Sequence, residues 1–268
     1  MLTHGRAPYG PMSCSLAACV WHRPRLGSSA NDRSSRRTRP TRSAAAQASS
    51  TDAPKKVAVF VSGGGSNLRA LHQAMRDGTV NATIAAVVSN SEICGGVEWA
   101  KTENIPTLKY PPTKAEKEKG EGMTPTELVE QLDALDVSFV CLAGYLRLIP
   151  PELCQRYENK MLNIHPALLP GFGGKGMHGT AVHEAVVASG ARWTGPTIHF
   201  VNEKFDEGKI LAQRVLPVFP SDTPDAVAAR VLEEEHKVFP HALAALVDGR
   251  VEFREDGVPK ILTEDGEE

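Results

Sequence analysis

An apolar, largely β-branched run, Val57-Ala-Val-Phe-Val61, leads directly into Ser62-Gly-Gly-Gly-Ser66-Asn67, and a helical pattern over 67–75 follows without a break. A strand that turns through glycines straight into a helix does not return by a hairpin. The helix crosses over the sheet, and the next strand arrives parallel to the first. The alternation continues: strands are expected at 83–89, 138–143, 160–164, 197–201 and 210–215, and helices at 96–103, 180–189 and 225–247. The second of these helices is closed by Gly190, and Pro240 is a candidate kink in the third. Thr124-Pro125-Thr126-Glu127 carries the signals of a helix start: a capping threonine, a proline at the first helical position and a reciprocal glutamate. The charged stretch 114–122 has no apolar face and reads as a solvated loop, and 251–261 reads as a small hairpin around Asp256-Gly257. The expected fold is α/β: a mainly parallel open sheet with helices on both faces.

Charge is distributed unevenly along the chain. Residues 1–52 hold eight arginines and two aspartates but no lysine or glutamate, a net of +6. The 30 basic and 32 acidic residues of the whole chain leave 22 and 30 for residues 53–268, a net of −8. An acidic body argues against a nucleic-acid binder, which needs a phosphate-neutralising face. No run of 18 apolar residues occurs, so no membrane-spanning helix is expected. The Arg-, Ser- and Ala-rich leader 1–52 fits an organelle transit peptide, cleaved within 43–53; a disordered basic tail has the same composition. Residues 53–268 then form a single domain. Cys14 and Cys19 lie in the leader, and Cys94, Cys141 and Cys154 are odd in number without C-x-x-C spacing, so neither a disulfide framework nor a zinc site is expected.

The glycines after strand 57–61 let backbone N–H groups turn toward an anion at a helix N-terminus. A tight turn with no ligand explains the same glycines. The dinucleotide fingerprint would need a glycine where Leu68 stands and an acid near Ser89-Asn90, and no Gly-Lys-Ser/Thr is present, so a monophosphate fits better than a dinucleotide or a nucleoside triphosphate. In Lys160-Met-Leu-Asn-Ile-His-Pro166, Asn163 and His165 are two apart in a strand and share a face, and Pro166 places them at its carboxyl end. An amide beside an imidazole suits acyl transfer: a donor for a developing oxyanion next to a general acid/base. Asp206, in a turn between two strands, either bonds its own backbone or orients His165. Glu235 sits with Ala228, Val231, Val238 and Ala242 on an apolar helical stripe, out of place unless paired at the helix edge or bound to a ligand.

In this order, SGGGSN (62–67), AGYLRLIP (143–150), NIHPALLP (163–170), HFVNEKFDEG (199–208) and Glu235-His236 resemble the phosphoribosylglycinamide formyltransferases over about residues 56–247. The insertion GFGGKGMHG (171–179) is similar to the plant and algal form. The resemblance implies a Rossmann-like formyltransferase fold, 10-formyltetrahydrofolate as co-substrate, and no metal or covalent enzyme intermediate. It implies that Gly65, Ser66 and Asn67 hold the phosphate of glycinamide ribonucleotide and Glu235 its ribose hydroxyls. Leu146, Arg147, Leu148 and Ile149 would line the folate pocket together with Asn202, Glu203, Lys204, Phe205 and Asp206. Asn163, His165 and Asp206 would form the catalytic set, with Asn163 and protonated His165 stabilising the oxyanion and His165 shuttling the proton. Thr126 stands where the bacterial pattern has a folate-contacting arginine, so the folate tail is expected to be held differently, by a lysine of 114–119. The resemblance further implies small-molecule substrates only, no nucleic-acid or membrane partner, a monomer or homodimer, and a chloroplast location, with the mitochondrion as the alternative. Formyltetrahydrofolate deformylase shares the Asn–His–Asp set but carries a regulatory domain ahead of the catalytic one, and methionyl-tRNA formyltransferase carries an additional RNA-binding domain. A phosphate-ligand sensor on the same fold is the non-catalytic alternative.

Overall fold

Residues 53–263 are described by a computed structural model. Strand and helix alternate as β1 (Lys55–Val61), α1 (Ser66–Arg76), β2 (Ala82–Ser89), α2 (Gly95–Thr102), β3 (Thr107–Lys109), α3 (Lys114–Glu118), α4 (Pro125–Ala134), β4 (Phe139–Leu142), α5 (Pro151–Arg156) and β5 (Met161–His165). There follow α6 (Thr180–Ala188), β6 (Trp193–Thr194), β7 (Thr197–Phe200), β8 (Ile210–Gln213), β9 (Leu216–Pro217), α7 (Pro224–Val247), β10 (Val251–Phe253) and β11 (Pro259–Ile261). The leader 1–52 lies outside the described residues.

Seven strands form one sheet in the order β3-β2-β1-β4-β5-β7-β8. Its first five strands are parallel, and β7 and β8 join antiparallel at one side. Side chains of β1 alternate between two cores, as the pleat requires. Val57, Val59 and Val61 meet Leu68 and Leu71 of α1 and Val238, Phe239 and Leu243 of α7. Ala58 and Phe60 meet Leu128 and Leu132 of α4 and Leu153 of α5 on the opposite face. Helices therefore cover both faces, in agreement with the sequence. A third cluster joins α6 to α7 through Val182, Val186, Val227 and Val231.

The helix start at Thr124 is built as expected: its side chain accepts from the Glu127 N–H, and the Glu127 carboxylate accepts from the Thr124 N–H. The stretch read as a solvated loop contains α3 instead, a correction to the sequence reading. That helix buries no side chain, so periodicity could not reveal it; a capping box between Thr113 and Glu116 and the Lys109–Glu116 ion pair hold it. The hairpin forms as β10 paired with β11. α7 runs unbroken through the buried Pro240. Among the described residues no helix is long and apolar enough to cross a membrane.

Candidate active site

Asn163 and His165 emerge from β5 on one face, while Leu162 and Ile164 point into the core shared with α1 and α7. The antiparallel neighbour β7 sets His199 opposite Asn163 and Thr197 opposite His165. Thr197 fixes the chain beyond His165: its hydroxyl donates to the Ala167 carbonyl at 2.7 Å and accepts from the Leu169 N–H at 3.0 Å. His199 Nδ1 lies 2.8 Å from the Phe200 carbonyl, which takes the Nδ1–H. Nε2 is then left to accept from the Asn163 amide at 2.9 Å. One Asn163 N–H is committed to His199, and the other is available to the cleft.

Asp206 is delivered by the turn after β7, in a left-handed conformation with φ of 56°. Gly208 permits this turn, because a Cβ there would collide with the Phe200 carbonyl. The Asp206 carboxylate stands between two imidazoles, 3.5 Å from His165 Nδ1 and 3.6 Å from His199 Nε2, and accepts from the Gly174 N–H at 2.9 Å. His165 Nε2 lies 2.8 Å from the Phe172 carbonyl. Two acceptors thus face the two nitrogens of His165, and only an imidazolium can donate to both.

Burial opposes that charge. His165 is 3% exposed, and desolvation pushes its pKa below the ordinary imidazole value although Asp206 and the Phe172 carbonyl pull it upward. Burial would also raise the Asp206 carboxyl, but the charge of His165 and the Gly174 N–H hold it below the ordinary aspartate value. The carboxylate is therefore ionised at neutral pH and faces an imidazole whose charged form is favoured by geometry and opposed by desolvation.

The glycine loop is shaped by packing. Gly65 has φ of 76° and caps α1, and a Cβ there would stand 2.7 Å from Gly96 Cα at the start of α2. No side chain caps α1. The Asn67 amide instead donates to Glu235 at 2.7 Å, which explains the carboxylate on the apolar stripe of α7. Glu235 is 8% exposed, and its burial raises its pKa against the Asn67 hydrogen bond. The Asn67 Oδ1 is buried without a partner.

These groups open onto one cleft of about 690 Å³. Asn163, His165, His199 and Asp206 line it, and Asn67 and Glu235 stand on the same wall system. Leu146, Arg147, Leu148 and Ile149 form one rim, with Leu146 and Leu148 half exposed; Asn202, Lys204 and Phe205 also line the cleft. Gly65, Ser66 and Glu203 do not line it, although Gly63 does. Nor does any residue of 114–119: the lysines and arginine that line the cleft are Arg147, Lys175 and Lys204.

The sequence pattern of the formyl transferase family matches residues 55–243. This chain belongs to the formyl transferase family. Among its relatives, phosphoribosylglycinamide formyltransferase, chloroplastic, of Arabidopsis thaliana is 54% identical over 207 residues, spanning 77% of this chain and 70% of that one. The glycinamide ribonucleotide transformylase 1 of Symbiobacterium toebii has a similar structure, with a TM-score of 0.69 and 31% identity, covering 78% of this chain and 94% of that one. A formyltetrahydrofolate deformylase from Pseudomonas syringae is 24% identical with a TM-score of 0.68, covering 78% of this chain and 66% of that one, a likeness of fold alone. For this formyl transferase, the sequence reading found three of the four polar groups at the cleft floor and missed His199. Strand alternation places His199 on the same face as Thr197, but only the pairing of that strand with β5 brings it to Asn163 and His165.

Proposed function

We propose that the cleft moves the formyl group of 10-formyltetrahydrofolate directly to the amine of glycinamide ribonucleotide, a step of purine synthesis. The observation that carries this reading is the convergence of Asn163, His165, His199 and Asp206 between an apolar rim and the Asn67–Glu235 pair. The half-exposed leucines beside Arg147 suit a flat, anionic-tailed folate. Glu235, fixed by the Asn67 amide, is an acceptor that suits the ribose hydroxyls. The amides at the start of α1, with Gly65 and Ser66 shaping the turn, suit the phosphate.

In this reading the amine lone pair attacks the formyl carbon, a C–N bond forms, and the carbonyl electrons move onto oxygen. The second Asn163 N–H donates to that oxyanion, together with the Nε2–H of the His165 imidazolium, which the oxyanion takes over from the Phe172 carbonyl. The His165 imidazolium gives a proton to N10 of the folate, the neutral ring then takes one from the new ammonium, and the oxyanion electrons re-form the carbonyl as the C–N10 bond breaks to release tetrahydrofolate. Asp206 supports the charged form of His165 against its burial. The plant relative named chloroplastic points to the chloroplast, and the basic leader 1–52 supplies a fitting transit signal.

Release of tetrahydrofolate from 10-formyltetrahydrofolate is measured with and without glycinamide ribonucleotide. Release that depends on the ribonucleotide is the expected result. Release without it identifies a deformylase, and silence in both leaves a ligand sensor.

A further inference from the structure

Helix α6 contributes to the cleft a histidine that the reaction as described does not use. His183 is 7% exposed, lines the cleft and makes no hydrogen bond among the described residues. Its Nδ1 is sealed from solvent without a partner, so Nε2 is the nitrogen that opens onto the cleft. A sealed nitrogen with no partner is cheaper to keep as a lone pair than as an unmet N–H, which leaves the proton on Nε2. The setting also keeps the ring uncharged: burial, and after it the charge of His165, push the His183 pKa below the ordinary imidazole value. The residue lies one turn inside α6, whose N-terminus has no side-chain cap and no acid in its first turn and whose Gly179 and Thr180 line the same cleft. A neutral imidazole at the start of a helix is a donor suited to a carbonyl oxygen.

Its location narrows the ligand. α6 packs on α7 through Val182, Val186, Val227 and Val231, and α7 carries Ala228 and Glu235 into the cleft. His183 therefore lines the cleft on the α6–α7 side together with Glu235, read above as the ribose acceptor, and lies close enough to His165 to feel its charge. In glycinamide ribonucleotide the group between the ribose and the reacting amine is a carboxamide. We propose that His183 donates Nε2–H to the carboxamide oxygen of the glycinamide arm and so positions the amine for attack. This assignment rests on the transferase reading above.

The test compares wild type with His183→Leu, which removes the donor, and His183→Gln, whose amide reaches the Nε2 position. Calorimetric binding of glycinamide ribonucleotide and the KM of each substrate are measured. Loss of one neutral hydrogen bond predicts a Kd and KM for the ribonucleotide about five- to tenfold higher in His183→Leu. His183→Gln recovers most of this, and the KM for the folate stays within twofold in both. An analogue with a methylene in place of the carboxamide carbonyl binds wild type and His183→Leu alike. A folded His183→Leu with wild-type ribonucleotide affinity overturns the assignment, as does a rise confined to the folate KM. If His183→Leu does not fold, His183→Asn, whose amide stops short of the Nε2 position, takes its place. Weakened ribonucleotide binding in that variant supports the assignment, and wild-type affinity overturns it. Wild-type protein that neither binds nor turns over the ribonucleotide overturns the transferase reading itself.

Discussion

The amide of Asn163 has two hydrogens, and one is held by His199 at 2.9 Å. That bond fixes the amide plane, so the second hydrogen has one direction in which to point. Asn163→Ala should lower kcat by roughly 10²–10³ with KM little changed, because an oriented oxyanion donor acts mainly in the transition state. His165→Ala should lower kcat by about 10²–10⁴. Steady-state kinetics check both, and a near-wild-type rate removes that residue from the mechanism. Glu235 lies further from the reacting carbon, so Glu235→Ala should raise the ribonucleotide KM with little effect on kcat. A collapse of the thermal midpoint instead would make Glu235 a structural residue. Asn163 and His165 were legible in the sequence because strand alternation and Pro166 force them onto one face at a strand end. His199 was not, because its partnership depends on which strand pairs with β5, and no local pattern encodes that.

Among the elements, the helix starts were legible where the side chains that make them are local. Thr124 and Glu127 close their capping box within four residues, so the signal and the structure coincide. Thr124→Ala removes a cap worth about 1 kcal/mol and should lower the thermal midpoint by roughly 2–4 °C, measured by circular dichroism. α3 was not legible although its Thr113–Glu116 capping box is equally local, because no core-facing side chain follows that start and the helix also depends on Lys109 of β3. The glycine loop was legible as a turn, but its partner was not. Gly65 is required where α1 meets α2 at Gly96, a contact between segments some thirty residues apart in the chain, about the span of one βαβ unit. The elements also answer the question raised by the stripe on α7. Glu235 is held by an amide from α1 rather than by a cation, which only the packing of α7 on α1 reveals.

For the whole molecule, protonation is linked to folding through three histidines. His165, His183 and His236 are each held below the ordinary imidazole value by burial. Between their folded values and about 6.5 the unfolded chain binds more protons than the folded one, so stability rises with pH across that window. Lowering the pH from about 7.5 to about 5.5 should therefore lower the thermal midpoint, as a calorimetric scan would show. Glu235, whose pKa is raised, works in the opposite direction between the ordinary glutamate value and its folded one. The cores lie within residues 57–261, so a chain beginning at Ala53 should keep the midpoint and the turnover of the full chain. The fold class was legible because alternation of strand and helix is a property of the entire body. The antiparallel addition of β7 and β8 was hidden, since the chain between β5 and β7 contains a helix as a parallel crossover would.

That antiparallel pairing also separates what can vary from what cannot. The chain leaves the sheet after Pro166 and re-enters at Thr197 on the adjacent strand, so the excursion between them is free to lengthen, as the insertion 171–179 does, without disturbing the pairing of Asn163 with His199. A single residue inserted within β7 would instead rotate His199 and Thr197 to the opposite side of the sheet, disconnecting the chemistry and turning Ile198 and Phe200 out of the core. Diversity in this enzyme can accumulate in the parts of that excursion away from Phe172 and Gly174, whose backbone groups meet His165 and Asp206, while the two strands are fixed residue by residue.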